Sequence, residues 1–430
     1  MKIQSVKGTR DFYPQEMAVR NWIIGGWKKV SLRNGFEEYD GPIFEYLKMF
    51  QIKSGDEIVE QLFSLTDRGG RELALRPEIT PTLARMVNQR INSLPRPVKW
   101  FSVPRLFRAE RPQKGRLREF FQWNIDIIGE ESVLADAEVI FTTVDYLRSV
   151  GLTNRDIKVK ISSRKFLAGF LKGLGIREQK LGALYILLDK SAKLPAEVFE
   201  ELLVEQIPEK TITDKILKFM VEQSSEQMDD LIGPNECARS ALDEIYQVFE
   251  YLESMGVSDY CIFDPGIVRG LAYYTGIVFE VHDAVGELRA IGGGGRYDNL
   301  LKDFGGPAIP ATGMGMGDCV LEILLKEKGI LEKQLPKAML DYFVAYVNDD
   351  YRDEAVKVTT KLRSKGMAAN FSYKSAKLGK QLKQASDSNA RKCIIIGEEF
   401  KDNKLVVKDM VSGEQKTEDV DEFFLKLDLD

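Results

Sequence analysis

Residues 104–129, PRLFRAERPQKGRLREFFQWNIDIIG, restrict the fold more than any other stretch, because they spell two period-2 strands joined by a basic turn. Up to Glu110, alternation places Arg108 and Glu110 on one face and Phe107 and Ala109 on the other. On the returning strand Phe121, Trp123, Ile125 and Ile127 share a face, and Phe120, Gln122, Asn124 and Asp126 share the opposite one. A half-buried hairpin commonly turns its polar face to water. Here that face holds an arginine, an acid, an aromatic ring, an amide and a second acid, a set that also suits a ligand. The turn, residues 111–118, carries Pro112 and Gly115 as turn formers and four cations, Arg111, Lys114, Arg116 and Arg118. Flexible cations above a pocket suit phosphate or an RNA backbone, and the same residues also make an ordinary solvated turn.

A chain of 430 residues, 44% hydrophobic and 30% charged, has the length for two or three globular domains. Its net charge of -5 means that contact with nucleic acid has to come from local patches, not from a global basic field. The four cysteines, Cys237, Cys261, Cys319 and Cys393, form no Cys-x-x-Cys pair, so neither a zinc site nor a disulfide framework is signalled. A reducing, cytoplasmic setting is the expectation. No apolar run approaches membrane-spanning length, and the N-terminal MKIQSVKGTRD lacks a signal-peptide core, so no membrane partner is expected. The single histidine, His282, has no partner for a histidine-based triad or metal site and reads as a strand-end or surface residue.

Along the chain, Met17, Val19, Trp22, Ile23, Trp27 and Val30 make a helical stripe that Asn34-Gly35 stops. Residues 36–46 read as a strand broken at Gly41-Pro42, and a loop with Gly55 leads to a strand at 61–66. The turn Asp67-Arg68-Gly69-Gly70 precedes another at 72–76. LRPEITP is a strand-to-helix junction with Thr80 as N-cap and Glu78 just outside the helix, where a carboxylate also complements the helix dipole. Residues 132–150 are a helix, and residues 165–250 read as an inserted helical subdomain without visible chemistry. Gly292 to Gly295, followed by Arg296-Tyr297-Asp298, allow close backbone approach to a ligand or another strand, and no P-loop Gly-Lys-Ser/Thr follows. Gly313-Met314-Gly315-Met316-Gly317 runs into an apolar helix, and residues 326–337 look like a linker. Beyond it, strands near 342–347, 369–373, 393–397 and 405–407 alternate with helices, which predicts a small doubly wound α/β domain over 338–430. Its lysines 374, 377, 380 and 383 face RNA or solvent.

No Cys/His pair, Ser/His pair or metal cluster is visible, so chemistry has to come from positioning and charge. That describes phosphoryl or nucleotidyl transfer, in which arginines neutralise developing charge and the substrate brings its own nucleophile.

The hairpin resembles motif 2 of class II aminoacyl-tRNA synthetases, and its F-R-x-E-R-P-Q-K-G-R form resembles the histidyl-tRNA synthetase family in particular. VRGLAYYTGIVFE and GGGGRYD are similar to that family's two histidine signatures, LALRPEIT to its amino-acid-binding strand and KGTRDFYP to its N-terminus. The resemblance implies an α+β catalytic domain on an antiparallel sheet over residues 1–325, with the helical insertion, and a C-terminal α/β anticodon-binding domain. It also implies a homodimer formed through the motif 1 segment around Pro42. The implied activity is activation of L-histidine by ATP to histidyl-adenylate, then transfer to the 3′ end of a histidine-accepting tRNA. Arg108 would hold the α-phosphate and the histidine carboxylate, Glu110 the adenine amino group and Arg116 the outer phosphates, with Phe120 stacked on adenine. Histidine's ammonium group would meet Glu78, Thr80 and Gln122, and its imidazole Asp126, Tyr273 and Tyr274. Arg269 would be the catalytic residue at the α-phosphate, and Mg²⁺ would accompany the ATP phosphates instead of sitting in a protein cage.

Three positions depart from the family pattern: Asp126 stands for a glutamate, Ala272 for an aspartate, and Val320 for the motif 3 arginine that clamps ATP. A valine cannot clamp a phosphate. The competing expectation is therefore a non-catalytic histidine sensor resembling the regulatory subunit of ATP phosphoribosyltransferase. Arg108, Glu110, Arg116, Arg269 and the C-terminal module favour the enzyme.

Overall fold

The computed structural model describes residues 3–52, 61–191, 194–222, 225–269, 273–335 and 340–427. The loop at Gly55, the departure at Ala272 with its neighbours Gly270 and Leu271, and the linker end at Lys337 lie outside the described residues. The chain forms two compact units divided between Lys333 and Gln334. Part of the stretch that looked like a linker is helical, at Ile330–Gln334.

The strands of the first unit are β1 (Glu37–Glu38), β2 (Phe44–Tyr46), β3 (Ser64–Thr66), β4 (Glu72–Leu75), β5 (Val98–Ser102), β6 (Arg105–Phe107), β7 (Glu119–Ile128), β8 (Ile157–Ser163), β9 (Cys261–Phe263), β10 (Ile277–Asp283), β11 (Gly292–Arg296) and β12 (Ala311–Gly317). Nine of them build one sheet in the order β1-β5-β7-β12-β11-β10-β8-β9, with β6 paired to β7. Only the outer pairs β1/β5 and β8/β9 are parallel. A small antiparallel sheet β2-β4-β3 stands apart.

The period-2 pattern of β7 decides how this sheet is covered. Trp123, Ile125 and Ile127 are buried against the helices Pro14–Arg33 and Leu134–Ser149. Trp123 stacks on Trp27 with centroids 6.3 Å apart, meets Tyr146 edge-on at 5.5 Å, and donates its indole N–H to Ser31 at 2.8 Å. Burying side chains of this size contributes about 2–3 kcal/mol each, which fixes the register and turns the polar face the other way. The first strand of the hairpin is shorter than alternation predicts. Arg108 still donates its backbone N–H to Arg118 at 2.9 Å, but the N–H of Ala109 goes to Gln61 at 2.7 Å, so the chain leaves β7 before Glu110.

At the LRPEITP junction the helix is Thr80–Gln89 and its N-cap is Ile79, with no side-chain cap. Thr80 is therefore the first helical residue, not the cap, and its hydroxyl is not spent on the helix end. The insertion comprises the helices Arg164–Gly173, Glu178–Leu188, Ala196–Gln206, Lys210–Val221, Ser225–Ile232 and Glu236–Ser254. Phe170 and Phe219 stack in its core at 4.1 Å.

The second unit has β13 (Leu340–Tyr346), β14 (Ala369–Phe371), β15 (Ala390–Ile396), β16 (Lys404–Asp409) and β17 (Gln415–Asp419), ordered β14-β13-β15-β16-β17. The first three strands are mutually parallel and the last two antiparallel. Tyr342, Val344 and Tyr346 pack on the helices Arg352–Ser364 and Val420–Lys426, while Phe343 and Ala345 pack on the helix Leu378–Asp387, so both faces are covered. This is the doubly wound arrangement expected from the alternation of elements.

Candidate active site

All eleven side chains assigned from the sequence to histidine or ATP line one cavity of about 410 Å³ on the polar face of the large sheet. The cavity has a buried end and a half-exposed end, and the two are held by different means.

At the buried end, Gln122, Asn124 and Asp126 of β7 lie beside Glu78 and Thr80, from the helix Thr80–Gln89 and its approach, and beside Tyr273, Tyr274 and Tyr297. Room for the Asp126 carboxylate depends on the strand opposite. A Cβ at Gly313, its register partner on β12, would stand 2.1 Å from Asp126 Oδ1. Tyr297 donates to that oxygen, while among the described residues Oδ2 is buried without a hydrogen-bond partner. A buried acceptor left open in this way costs free energy unless a ligand donor meets it. Burial pushes the Asp126 carboxyl up to about 7, against the opposing pull of the Tyr297 bond. Tyr273 donates to Glu78 Oε2 at 3.4 Å. Burial, reinforced by nearby acids, raises the phenols of Tyr273 and Tyr297 well above their ordinary value, so they remain protonated donors.

The other end is organised by ion pairs within the hairpin. Glu110 is buried and paired with Arg116, and Arg108 lies 4.0 Å from its other oxygen. Arg108 also donates to the carbonyl of Pro77 at 3.1 Å and rests its guanidinium 5.2 Å from the Phe120 ring centroid. Arg108 and Arg116 are each about a third exposed, so a polyanion can reach both.

Between the two ends sits Arg269, in a left-handed backbone conformation with φ +58°. Burial works against its charge, and Tyr274 and Glu280 more than offset this, so its pKa is raised. Its Nη1 donates to Glu280 Oε1 at 2.9 Å, and His282 Nε2 lies 3.0 Å from Glu280 Oε2. His282 is a strand-end residue, as the sequence reading has it, standing second to last in Ile277–Asp283, and its contact with Glu280 was not foreseen. Glu280 and Tyr297 were also missed. A signal for Glu280 existed, since it is the one charge within the apolar run Ile277–Val281 of a strand.

Val320 stands where the ATP-clamping arginine was expected, near the start of the helix Asp318–Glu327, and lines the same cavity. The basic turn rests on it: Val320 Cγ2 is 2.9 Å from the point where a Cβ on Gly115 would stand. The cations that line the cavity are Arg108, Arg116 and Arg269. In GGGGRYD the arginine is structural: Arg296 pairs with buried Asp136 at 2.5 Å and ties β11 to the helix Leu134–Ser149.

An antiparallel sheet that gathers arginines, acids and a buried acceptor in one cavity, with an inserted helical subdomain, defines an aminoacyl-tRNA synthetase of class II type. The profile described as histidyl-tRNA synthetase matches residues 8–317, and that described as anticodon binding domain matches 341–428. The chain belongs to the histidyl-tRNA synthetase family. It is 42% identical over 411 residues to the chloroplastic/mitochondrial histidine–tRNA ligase of Arabidopsis thaliana, covering 95% of this chain and 83% of that one. It is 38% identical to the histidine–tRNA ligase of Opitutus terrae, covering 95% and 94%. The crystal structure of histidyl-tRNA synthetase from Nostoc superposes with a TM-score of 0.84 at 26% identity, over 100% of this chain and 99% of that one. A Bacillus halodurans structure described as an ATP phosphoribosyltransferase regulatory subunit/histidyl-tRNA synthetase superposes with a TM-score of 0.75 at 25% identity, over 92% and 98%.

Proposed function

We propose that this chain charges a histidine-accepting tRNA in two steps, first activating L-histidine with ATP and then transferring the histidyl group to the 3′ end of the tRNA. The single observation that carries the reading is the cavity itself, where a buried end with one open carboxylate oxygen adjoins a half-exposed end lined by arginines. In the first step a carboxylate oxygen of histidine attacks the α-phosphorus of ATP, and the bond to pyrophosphate breaks. Arg269 is the catalytic residue, neutralising charge on the α-phosphate as the new bond forms, and Arg108 holds the α-phosphate and the carboxylate together. In the second step a terminal ribose hydroxyl attacks the carbonyl carbon, and AMP leaves.

Asp126, with Tyr273 and Tyr274, receives the imidazole, and Glu78, Thr80 and Gln122 receive the ammonium group. Glu110 takes the adenine amino group and Phe120 stacks on the ring. ATP must then displace Arg116 from Glu110, which frees that guanidinium for the outer phosphates. With valine at 320, Arg108, Arg116 and Arg269 share the phosphate charge. Among the described residues no cluster of three or more acidic, cysteine or histidine side chains is arranged to hold a metal, so Mg²⁺ is proposed to travel with the ATP phosphates.

The motif 1 segment supports a homodimer: Ile43, Phe44 and Tyr46 are exposed apolar side chains on and beside β2, and Leu65 is exposed on β3 of the same small sheet. Lys374, Lys377, Lys380 and Lys383 beside exposed Tyr373 are proposed anticodon contacts. No described helix is long and apolar enough to cross a membrane. A reducing, cytoplasmic setting is proposed from the four cysteines, all of which are free. The test is histidine-dependent exchange of pyrophosphate into ATP. Arg269→Ala should lose most of the rate, about a thousandfold by analogy with other transition-state charge partners. If the unmodified protein binds histidine and shows no exchange, the regulatory reading replaces this one.

A further inference from the structure

We propose that Glu280 and His282 are positioning residues for the activation step: His282 anchors one carboxylate oxygen of Glu280, and the other anchors the guanidinium of Arg269. The proposal rests on the reading of Arg269 as the catalytic residue.

Three observations lead to it. Glu280 interrupts an apolar strand, for Ile277, Val278, Phe279 and Val281 around it are all buried, and packing alone gives no reason to sink a carboxylate there. Its two oxygens are divided between two donors, Arg269 Nη1 at 2.9 Å and His282 Nε2 at 3.0 Å. The neighbouring strand makes room for the pair, since Gly293 is the register partner of Glu280 and a Cβ there would lie 2.6 Å from Arg269 Nη1.

The nearby cations on β8 are committed elsewhere. Lys160 pairs with Asp264 at 2.9 Å, and Lys158 donates to the carbonyl of Asp259 at 2.9 Å. Among the described residues Glu280 therefore answers to Arg269 and His282. A long arginine side chain on a left-handed backbone has many directions open to it, and a carboxylate pinned at its far oxygen selects one of them. A guanidinium aimed before substrate arrives does not have to be reorganised as charge develops on the α-phosphate. The carboxylate also takes part of the charge of Arg269, so it helps only if held where the phosphate can share the guanidinium's remaining donors.

The full chain is assayed by pyrophosphate exchange, with kcat and KM measured for histidine and ATP, alongside Arg269→Ala and thermal melts of every variant. Glu280→Gln should lower kcat by about tenfold or more and leave both KM values within about threefold, because the lost interaction acts mainly in the transition state. His282→Phe removes the anchor and should lower kcat by about fivefold, while His282→Gln, which keeps an N–H donor, should recover most of that loss. Parental kcat in both Glu280→Gln and His282→Phe, in a protein that Arg269→Ala inactivates, overturns the proposal and leaves the catalytic reading standing. So does a loss of kcat that tracks lowered melting temperature and is the same for Phe and Gln at 282. Parental exchange in Arg269→Ala removes the catalytic reading, and this proposal with it.

Discussion

The two ends of the cavity differ in how they wait for their ligands. At the buried end the protein has already met the cost of the site: Asp126, Glu78 and the tyrosines are sunk in a core, and Asp126 Oδ2 stays open. At the half-exposed end charges are matched within a single hairpin: Glu110 is ion-paired with Arg116, Arg108 lies 4.0 Å from its other oxygen, and the Arg108 guanidinium rests over Phe120. On the proposed reading a small amino acid of fixed shape would be met by a preformed pocket, and a flexible polyanion by ion pairs that exchange partners. The buried end should therefore respond to substitution through histidine affinity, and the other end through ATP affinity, each leaving the other substrate's KM unmoved.

The sharpest challenge to this contrast is Asp126→Asn. Loss of the carboxylate should lower kcat/KM for histidine by about a hundredfold, while KM for ATP stays near its parental value. The same substitution should also act on the ligand-free protein. The folded-state pKa of Asp126, about 7, lies above its ordinary value of 3.8. Its contribution is thus fully present below that ordinary value and is lost as pH rises through 7. The asparagine variant should lack this decline and gain on the order of 2 kcal/mol over the parent above pH 7, read as melting temperature against pH.

Arg116→Ala probes the other end. It should raise KM for ATP about tenfold, through the loss of one phosphate contact on a site with no arginine at 320, and leave the histidine KM unchanged. A large effect on histidine would mean that the two ends are one rigid unit. Replacing Lys377 and Lys380 together by alanine should raise KM for tRNA by about threefold to tenfold and leave pyrophosphate exchange untouched. The smallest effect is expected for Val320→Ala. Loosening the seat under the basic turn should change KM for ATP by about twofold, and a larger change would show that the turn's closed position, more than its ion pairs, controls this end.

Much of the fold could be read from local pattern. The stripe from Met17 to Val30, the parity of β7 and the strand–helix alternation after 340 all appear in the structure, because each reflects which face of one element must be buried. The edge strand Gln415–Asp419 escaped notice since it is polar and largely exposed, and only its backbone pairing with β16 makes it a strand. Thr80 was misread as a cap because side-chain type suggests capping, whereas the helix begins one residue earlier than that role requires.

By itself the sequence determined the polar face of the hairpin, the two glycine-rich runs and the grouping of arginines with acids, since strand parity and residue chemistry are local properties. The tertiary structure alone decided that Tyr297 reaches Asp126, 171 residues away, that Arg116 closes on Glu110, and that the only histidine stands behind Glu280 and Arg269. Those choices depend on which strands lie side by side in the sheet, and periodicity within one strand carries no information about its neighbours.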